Sequence, residues 1–146
     1  MSTAKTVVKT KPPPKKAPKN VPNPPDVQLI ANAVITDGRG RVLLTRYDEE
    51  DAERWWLPGT DLKPYEHPDD ALRRVFDGLL KAPKRSALHH VESFRGRRGW
   101  HVMFNHRVLA SSGAATGQGQ WFAADALPRM AHGAWEQSVI AKVLAR

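Results

Sequence analysis

A chain of 146 residues with 40% hydrophobic content can bury one sizeable core and hardly two, since domains usually run to about 100–200 residues. Cysteine is absent, which excludes disulfides, thiolate zinc sites and cysteine nucleophiles and leaves any metal to His, Asp or Glu. The net charge is +8, yet six lysines (Lys5, Lys9, Lys11, Lys15, Lys16 and Lys19) precede Asp26, the only acid of residues 1–26, and the rest of the chain is close to balance.

Seven of the twelve prolines (Pro12, Pro13, Pro14, Pro18, Pro22, Pro24 and Pro25) fall in the same opening stretch, which has no aromatic residue. Such a composition predicts a disordered tail over 1–26 with polyproline-like stiffness, followed by one domain over 27–146. Two readings of the tail stay open. Its lysines can neutralise the phosphates of nucleic acid or another polyanion, or they can simply solubilise a linker. The tail lacks both the apolar core of a secretory signal and the arginines and amphipathic period of a mitochondrial presequence. No run approaches the roughly 18 apolar residues of a membrane helix. The reading is a soluble, cytoplasmic protein.

The run Val27–Thr36 is β-rich and apolar enough for a strand covered on both faces. Asp37-Gly38-Arg39-Gly40 supplies a turn, and Arg41–Tyr47 reads as the return strand. An acidic loop (Asp48, Glu49, Glu50, Asp51) then leads to Trp55-Trp56-Leu57-Pro58-Gly59.

A helix is predicted next, from His67 to Lys81. Pro68 suits its first turn, Asp69 and Asp70 complement the dipole, and Ala71, Leu72, Val75, Phe76, Leu79 and Leu80 recur at helical spacing. Two strands, Ala87–Phe94 and Trp100–Ala110, flank the basic turn Arg95-Gly96-Arg97-Arg98-Gly99. A short strand at Gln120-Trp121-Phe122 precedes a final helix with a stripe of Trp135, Val139, Ile140, Val143 and Leu144. The order is β-β-α-β-β-β-α.

The segment from Thr60 to Lys81 resembles the Nudix box. That motif runs Gly, five residues, Glu, seven residues, Arg-Glu, an aliphatic residue, any residue, Glu-Glu, any residue, Gly. Glu66 and Arg74 match its first glutamate and its arginine at the family's spacing. A β-hairpin before the segment, the approach through Trp56-Leu57-Pro58-Gly59, and the later Trp121-Phe122 with Asp125-Ala126-Leu127-Pro128 agree with the family as well. The likeness spans about 120 residues and implies an α/β/α sandwich, with a mixed β-sheet between helices, in the α+β class.

The other motif positions depart. Thr60 replaces the first glycine, Val75 the glutamate after arginine, Gly78 and Leu79 the paired glutamates, and Lys81 the closing glycine. In the family such glutamates hold Mg²⁺ or Mn²⁺, which need oxygen ligands that valine, glycine and leucine side chains lack. On a continuous helix, positions 75, 78 and 79 share one face, so the resemblance implies a degenerate member with no metal cofactor. Such a protein binds a nucleotide-type ligand, nucleic acid or a protein partner, and the family leaves room for a homodimer. The alternatives are a hydrolase of nucleoside-diphosphate-linked compounds with a rearranged Mg or Mn site, and an accessory protein that binds nucleic acid through the lysine tail.

For a rearranged site, Glu66, Asp77 and Glu92 are the candidate acids, with Glu66 the best single metal contact; Asp61, Asp69 and Asp70 lie near the motif too. The histidines (His67, His89, His90, His101, His106, His132) would need three to converge for zinc, but strand alternation separates His89 from His90 and His101 from His106. A pairing of His89 with His106 depends on hairpin register. Trp55, Trp56 and Arg74 are candidate ligand contacts beside the box. Arg97 and Arg98, with Arg95 and Trp100, are candidates for gripping phosphate and stacking on a base, against the simpler reading of a solvated hairpin tip.

Overall fold

The computed structural model describes residues 26–49, 52–80, 83, 85–111 and 119–145. The lysine tail and Lys81 lie outside the described residues. Seven strands, β1 (Val27–Thr36), β2 (Arg41–Glu49), β3 (Ala52–Trp56), β4 (Gly59–Asp61), β5 (Arg85–Gly96), β6 (Gly99–Leu109) and β7 (Gly119–Ala123), form one sheet with α1 (Pro68–Phe76) and α2 (Ala134–Leu144). The spine of the sheet runs β3-β2-β1-β6-β5, with β4 added to β1 and β7 to β2.

β1 owes its central place to its composition: residues 31–36 are all buried. Its partner over the full length is β6, in parallel, from Val27 opposite Trp100 to Thr36 opposite Leu109. The remaining pairings are antiparallel, so the sheet is mixed, as the resemblance implied. Successive side chains of a strand point to opposite faces, which sorts the core into two layers. Ala31, Ala33, Ile35, Leu43 and Val108 meet Ala71, Leu72 and Phe76 of α1, while Val34, Val42 and Leu44 meet Val139, Ile140 and Val143 of α2. The sheet therefore lies between its two helices.

Three features differ from the sequence reading. First, β3 and β4 replace an expected loop and approach. β3 pairs Thr45–Glu49 of β2, and its outer edge is held by Trp55 N–H donating to the Arg129 carbonyl and Ala131 N–H to the Trp55 carbonyl. β4 lies so close to β1 that a Cβ on Gly59 would collide with Asn32 Oδ1 and the Ala31 carbonyl. Second, α1 stops at Phe76. Asp77 caps it, and Gly78 adopts φ +79°, a left-handed conformation that favours glycine and ends helices. Gly78 is thus a stop signal just past the helix, and positions 78 and 79 leave the helical register. Third, β5 carries a bulge between Leu88 and His90, which sets Leu88 opposite His106 and His90 opposite Asn105. The register therefore does not pair His89 with His106.

No helix among the described residues is long and apolar enough to cross a membrane.

Candidate functional site

The connection from β4 into α1 is built around Glu66. Lys63-Pro64-Tyr65-Glu66 forms a turn closed by Glu66 N–H donating to the Lys63 carbonyl at 2.9 Å. Pro64 fits the second position, and the third requires positive φ, which here falls on Tyr65 at +64° with its side chain fully exposed. The turn aims the Glu66 carboxylate back at α1. Arg74 Nε donates to Oε2 at 3.0 Å and Arg74 Nη2 to Oε1 at 2.7 Å, while the Lys63 N–H donates to Oε1 at 2.9 Å. Arg74 Nη2 also donates to the Asp61 carbonyl at 3.1 Å, tying β4 to the helix. Hydrogen bonding from Arg74 above all, with the Lys63 N–H, brings the Glu66 pKa down to about 2, and the same pair raises that of Arg74.

α1 begins at His67, whose Nδ1 accepts from Asp69 N–H at 3.0 Å. Asp70 pairs with Arg73 at 2.7 Å. Asp69 Oδ1 stands 3.4 Å from Nε2 of His106, whose side chain is 1% exposed and whose Nδ1 lies 2.9 Å from the Phe104 carbonyl. Val75 is half-buried against the α1 core and Leu79 lies within it. The two positions pack rather than offer a surface.

A metal fits this set poorly. Both Glu66 oxygens already accept from Arg74, Oε1 also accepts from Lys63, and Val75, Gly78 and Leu79 supply no side-chain oxygen. Among the described residues no group of three or more His, Asp or Glu side chains could hold a metal ion. The rearranged trio of Glu66, Asp77 and Glu92 is not brought together. Glu66 and Asp77 flank α1, whereas Glu92, opposite Met103, faces the α2 side of the sheet.

That opposite side carries a second polar cluster. Asn32, Asn105 and His90 are cross-strand neighbours, with Asn105 Nδ2 3.2 Å from His90 Nε2 and His90 Nε2 3.0 Å from Glu92 Oε2. Trp135 Nε1 donates to Glu92 at 3.0 Å and Lys142 Nζ at 3.3 Å. Burial works against the Glu92 carboxylate, but the bonds from Trp135, His90 and Lys142 outweigh it and hold the pKa below the usual value. Trp56, 38% exposed, stacks on His132 at 6.1 Å between ring centroids, and His132 meets Trp135 edge-on. Beneath them Glu136 is fully buried, accepting from His132 N–H at 2.7 Å with its other oxygen 3.3 Å from His132 Nδ1. Burial raises its pKa, partly countered by hydrogen bonds from His132 and the Leu57 N–H.

The candidate ligand residues thus occupy three places. Arg74 is engaged with Glu66. Trp55 packs edge-on against Phe122 at 4.9 Å within the α2 core, while Trp56 borders the polar cluster. Arg97 and Arg98 form the two-residue turn between β5 and β6 next to Trp100, and Arg98 reaches Asp61 at 3.8 Å. The sequence reading missed Asn32, Asn105 and Glu136 as buried polar groups. Asparagine in the middle of apolar strands, and a glutamate three and four residues before Val139 and Ile140, were the available signals.

No family profile matches the chain, and no curated protein matches it by sequence. Solved structures do. The chain is similar to the MutT Nudix hydrolase of Burkholderia pseudomallei, with 23% identity and a TM-score of 0.63 over 81% of this chain and 98% of that one. The fold is the Nudix fold. The Nudix domain of Shewanella oneidensis NrtR, solved with ADP ribose, aligns with a TM-score of 0.64 and 20% identity over 88% of this chain and 91% of its own. NrtR complexed with a 27mer DNA aligns over 79% of this chain but 59% of its own length, with a TM-score of 0.62 and 20% identity.

Proposed function

We propose that this chain is a catalytically degenerate Nudix-fold protein that binds a nucleotide-type ligand without a metal cofactor. The observation that carries the reading is the double grip of Arg74 on Glu66: the one carboxylate kept at a motif position is spent on an internal ion pair. Helix termination at Gly78 supports it further, because the motif's later acidic positions no longer stand on a helix. The ligand surface is the rim of Trp56 and His132 beside Glu92 and Asn105, where an aromatic face and fixed hydrogen-bonding groups lie together. ADP ribose, the ligand solved with the NrtR domain, is a rational first probe.

Two measurements test the proposal. Calorimetric titration with ADP ribose and simple nucleotides, in the presence of EDTA, should give binding that Trp56→Ala weakens by about tenfold or more. A panel of nucleoside-diphosphate-linked compounds with Mg²⁺ or Mn²⁺ should show no turnover. Metal-dependent turnover abolished by Glu66→Gln would sink the proposal and establish a hydrolase with a rearranged site.

A further inference from the structure

The α1 side of the sheet is only partly covered by its helix. Toward the β5–β6 turn it bears a platform of cross-strand neighbours: Val27, Trp100 and Arg95 in one row, Leu29, Val102 and Ser93 in the next, then Ala31, Phe104 and Val91. Leu88, opposite His106, extends it. Five of the eight exposed large hydrophobic side chains among the described residues (Val27, Leu29, Leu88, Val91 and Trp100) lie on this face, so the exposure is concentrated rather than scattered. Trp100 is 45% exposed, and its indole N–H donates to Ser93 Oγ at 2.7 Å, which fixes the ring in the face. Phe104, half-buried, stands four residues further along the same side of β6, about 13 Å away at strand rise.

The charged side chains that β1, β5 and β6 present at the turn end of this face are basic, while Asp69 of α1 stands beside His106 at its Leu88 end. Alternation leaves no acidic side chain of β1, β5 or β6 pointing to it, since Glu92 faces the other way. At its end Arg95, Gly96, Arg97, Gly99 and Trp100 line an open hollow of about 470 Å³. Among the described residues Arg95 and Arg97 have no acidic partner, whereas Arg98 has Asp61. The chain also enters the sheet here: Trp100 N–H donates to the Asp26 carbonyl at 3.0 Å.

We propose that the β5–β6 face, with Trp100 and Phe104 as stacking surfaces and Arg95 and Arg97 as phosphate contacts, binds single-stranded nucleic acid. Aromatic rings on a sheet beside unpaired arginines suit a strand whose bases are free to stack, whereas a duplex hides its base faces. A second copy of the chain would bring a second set of Arg95 and Arg97 toward the first, and like charges oppose that occupant. The site is independent of nucleotide binding at Trp56, because Trp56 lies on β3, at the opposite edge of the sheet from β5.

Fluorescence anisotropy of the full chain with a labelled oligothymidylate of about twelve nucleotides tests it. The expected result is salt-dependent binding that Arg95→Glu/Arg97→Glu weakens by about tenfold or more while lowering the salt slope by about 1.4, the value for two phosphate contacts. Trp100→Ala should cost about tenfold with the salt slope unchanged, Trp100→Phe should restore most of the loss, and an abasic oligomer of equal length should bind the wild type as weakly as the thymidine oligomer binds Trp100→Ala. The proposal fails if no binding occurs at low salt, or if duplex or abasic strands bind equally well. It also fails if Lys15→Gln/Lys16→Gln/Lys19→Gln abolishes binding while the arginine reversals change nothing, which would place all affinity in the tail. Sedimentation showing a stable dimer that Trp100→Ala dissociates, with no oligonucleotide binding, would reassign the face to a protein interface.

Discussion

Arg74 and Glu66, eight residues apart, meet in a two-pronged ion pair at 2.7 and 3.0 Å that closes the turn before α1 onto the helix itself. Because the folded pKa of Glu66 is about 2 against an ordinary value of 4.5, the carboxylate contributes stability that is fully present above pH 4.5 and is lost as the pH falls through about 2. Acid titration of unfolding should therefore show the wild type losing stability faster than Glu66→Gln between pH 4.5 and 2, and parallel curves above that window.

Glu136 should behave with the opposite sign. Burial raises its folded pKa above the ordinary 4.5, so its contribution is complete below 4.5 and declines as the pH rises through the folded value. Glu136→Gln keeps an oxygen to accept from His132 N–H and has no charge to bury. Its stability should fall less than that of the wild type as pH increases from 4.5 toward neutrality, as read by urea midpoints.

Gly78 offers a test of sign. Within a helix, Gly78→Ala would stabilise by about 1 kcal/mol. At φ +79° with open space around the missing Cβ, the same change should destabilise by about 1–2 kcal/mol. Thermal unfolding of this single variant distinguishes the two.

Restoring the motif's acids one at a time should not restore a metal site. Val75→Glu, at a half-buried position, should fold and show no Mg²⁺-dependent hydrolysis. Leu79→Glu places a carboxylate in the α1 core and should cost several kcal/mol or unfold the protein. Leu72→Ala, at a fully buried contact of the same core, should cost about 2–5 kcal/mol.

Tyr65→Gly should raise stability. Relief of the left-handed tyrosine is worth about 1–2 kcal/mol, the extra backbone freedom of glycine takes back about 0.5–1 kcal/mol, and the exposed ring gives up no packing. A net gain of about 0.5–1 kcal/mol is expected in denaturant unfolding.

Much of the fold was legible because its signals are local. The apolar run of β1, the turn at Gly38 and Gly40, the Pro68-Asp69-Asp70 opening of α1 and the stripe of α2 each declare an element within a few residues. β3 was not legible: the residues leading into it, Asp48 to Asp51, are acidic, and its outer edge is held by Trp55, bonded to Arg129 and Ala131 far along the chain. The early end of α1 was misread because Leu79 and Leu80 continue the apolar spacing, yet they reach the same core from a turn after Gly78. At the site, Glu66 and Arg74 were recognised by spacing, but their union emptied the carboxylate of ligand capacity, which spacing cannot reveal. Glu92 was named from sequence as a candidate acid, but its face was not legible, because the bulge at His89 decides which face each β5 side chain takes.

The parallel pairing of β1 with β6 sets the order of events in folding. Each partner lies 73 positions further along the chain, as from Val27 to Trp100. At synthesis rates of about 5–20 residues per second, β1 spends roughly 4–15 s without the strand that will flank it. An apolar strand with an unsatisfied edge is prone to pair with other chains. Such long-range closure also slows folding from the denatured state. The yield of soluble protein should accordingly depend on how quickly β6 closes that edge, because β2 and β4, which follow within about 35 residues, pair with the other edge of β1.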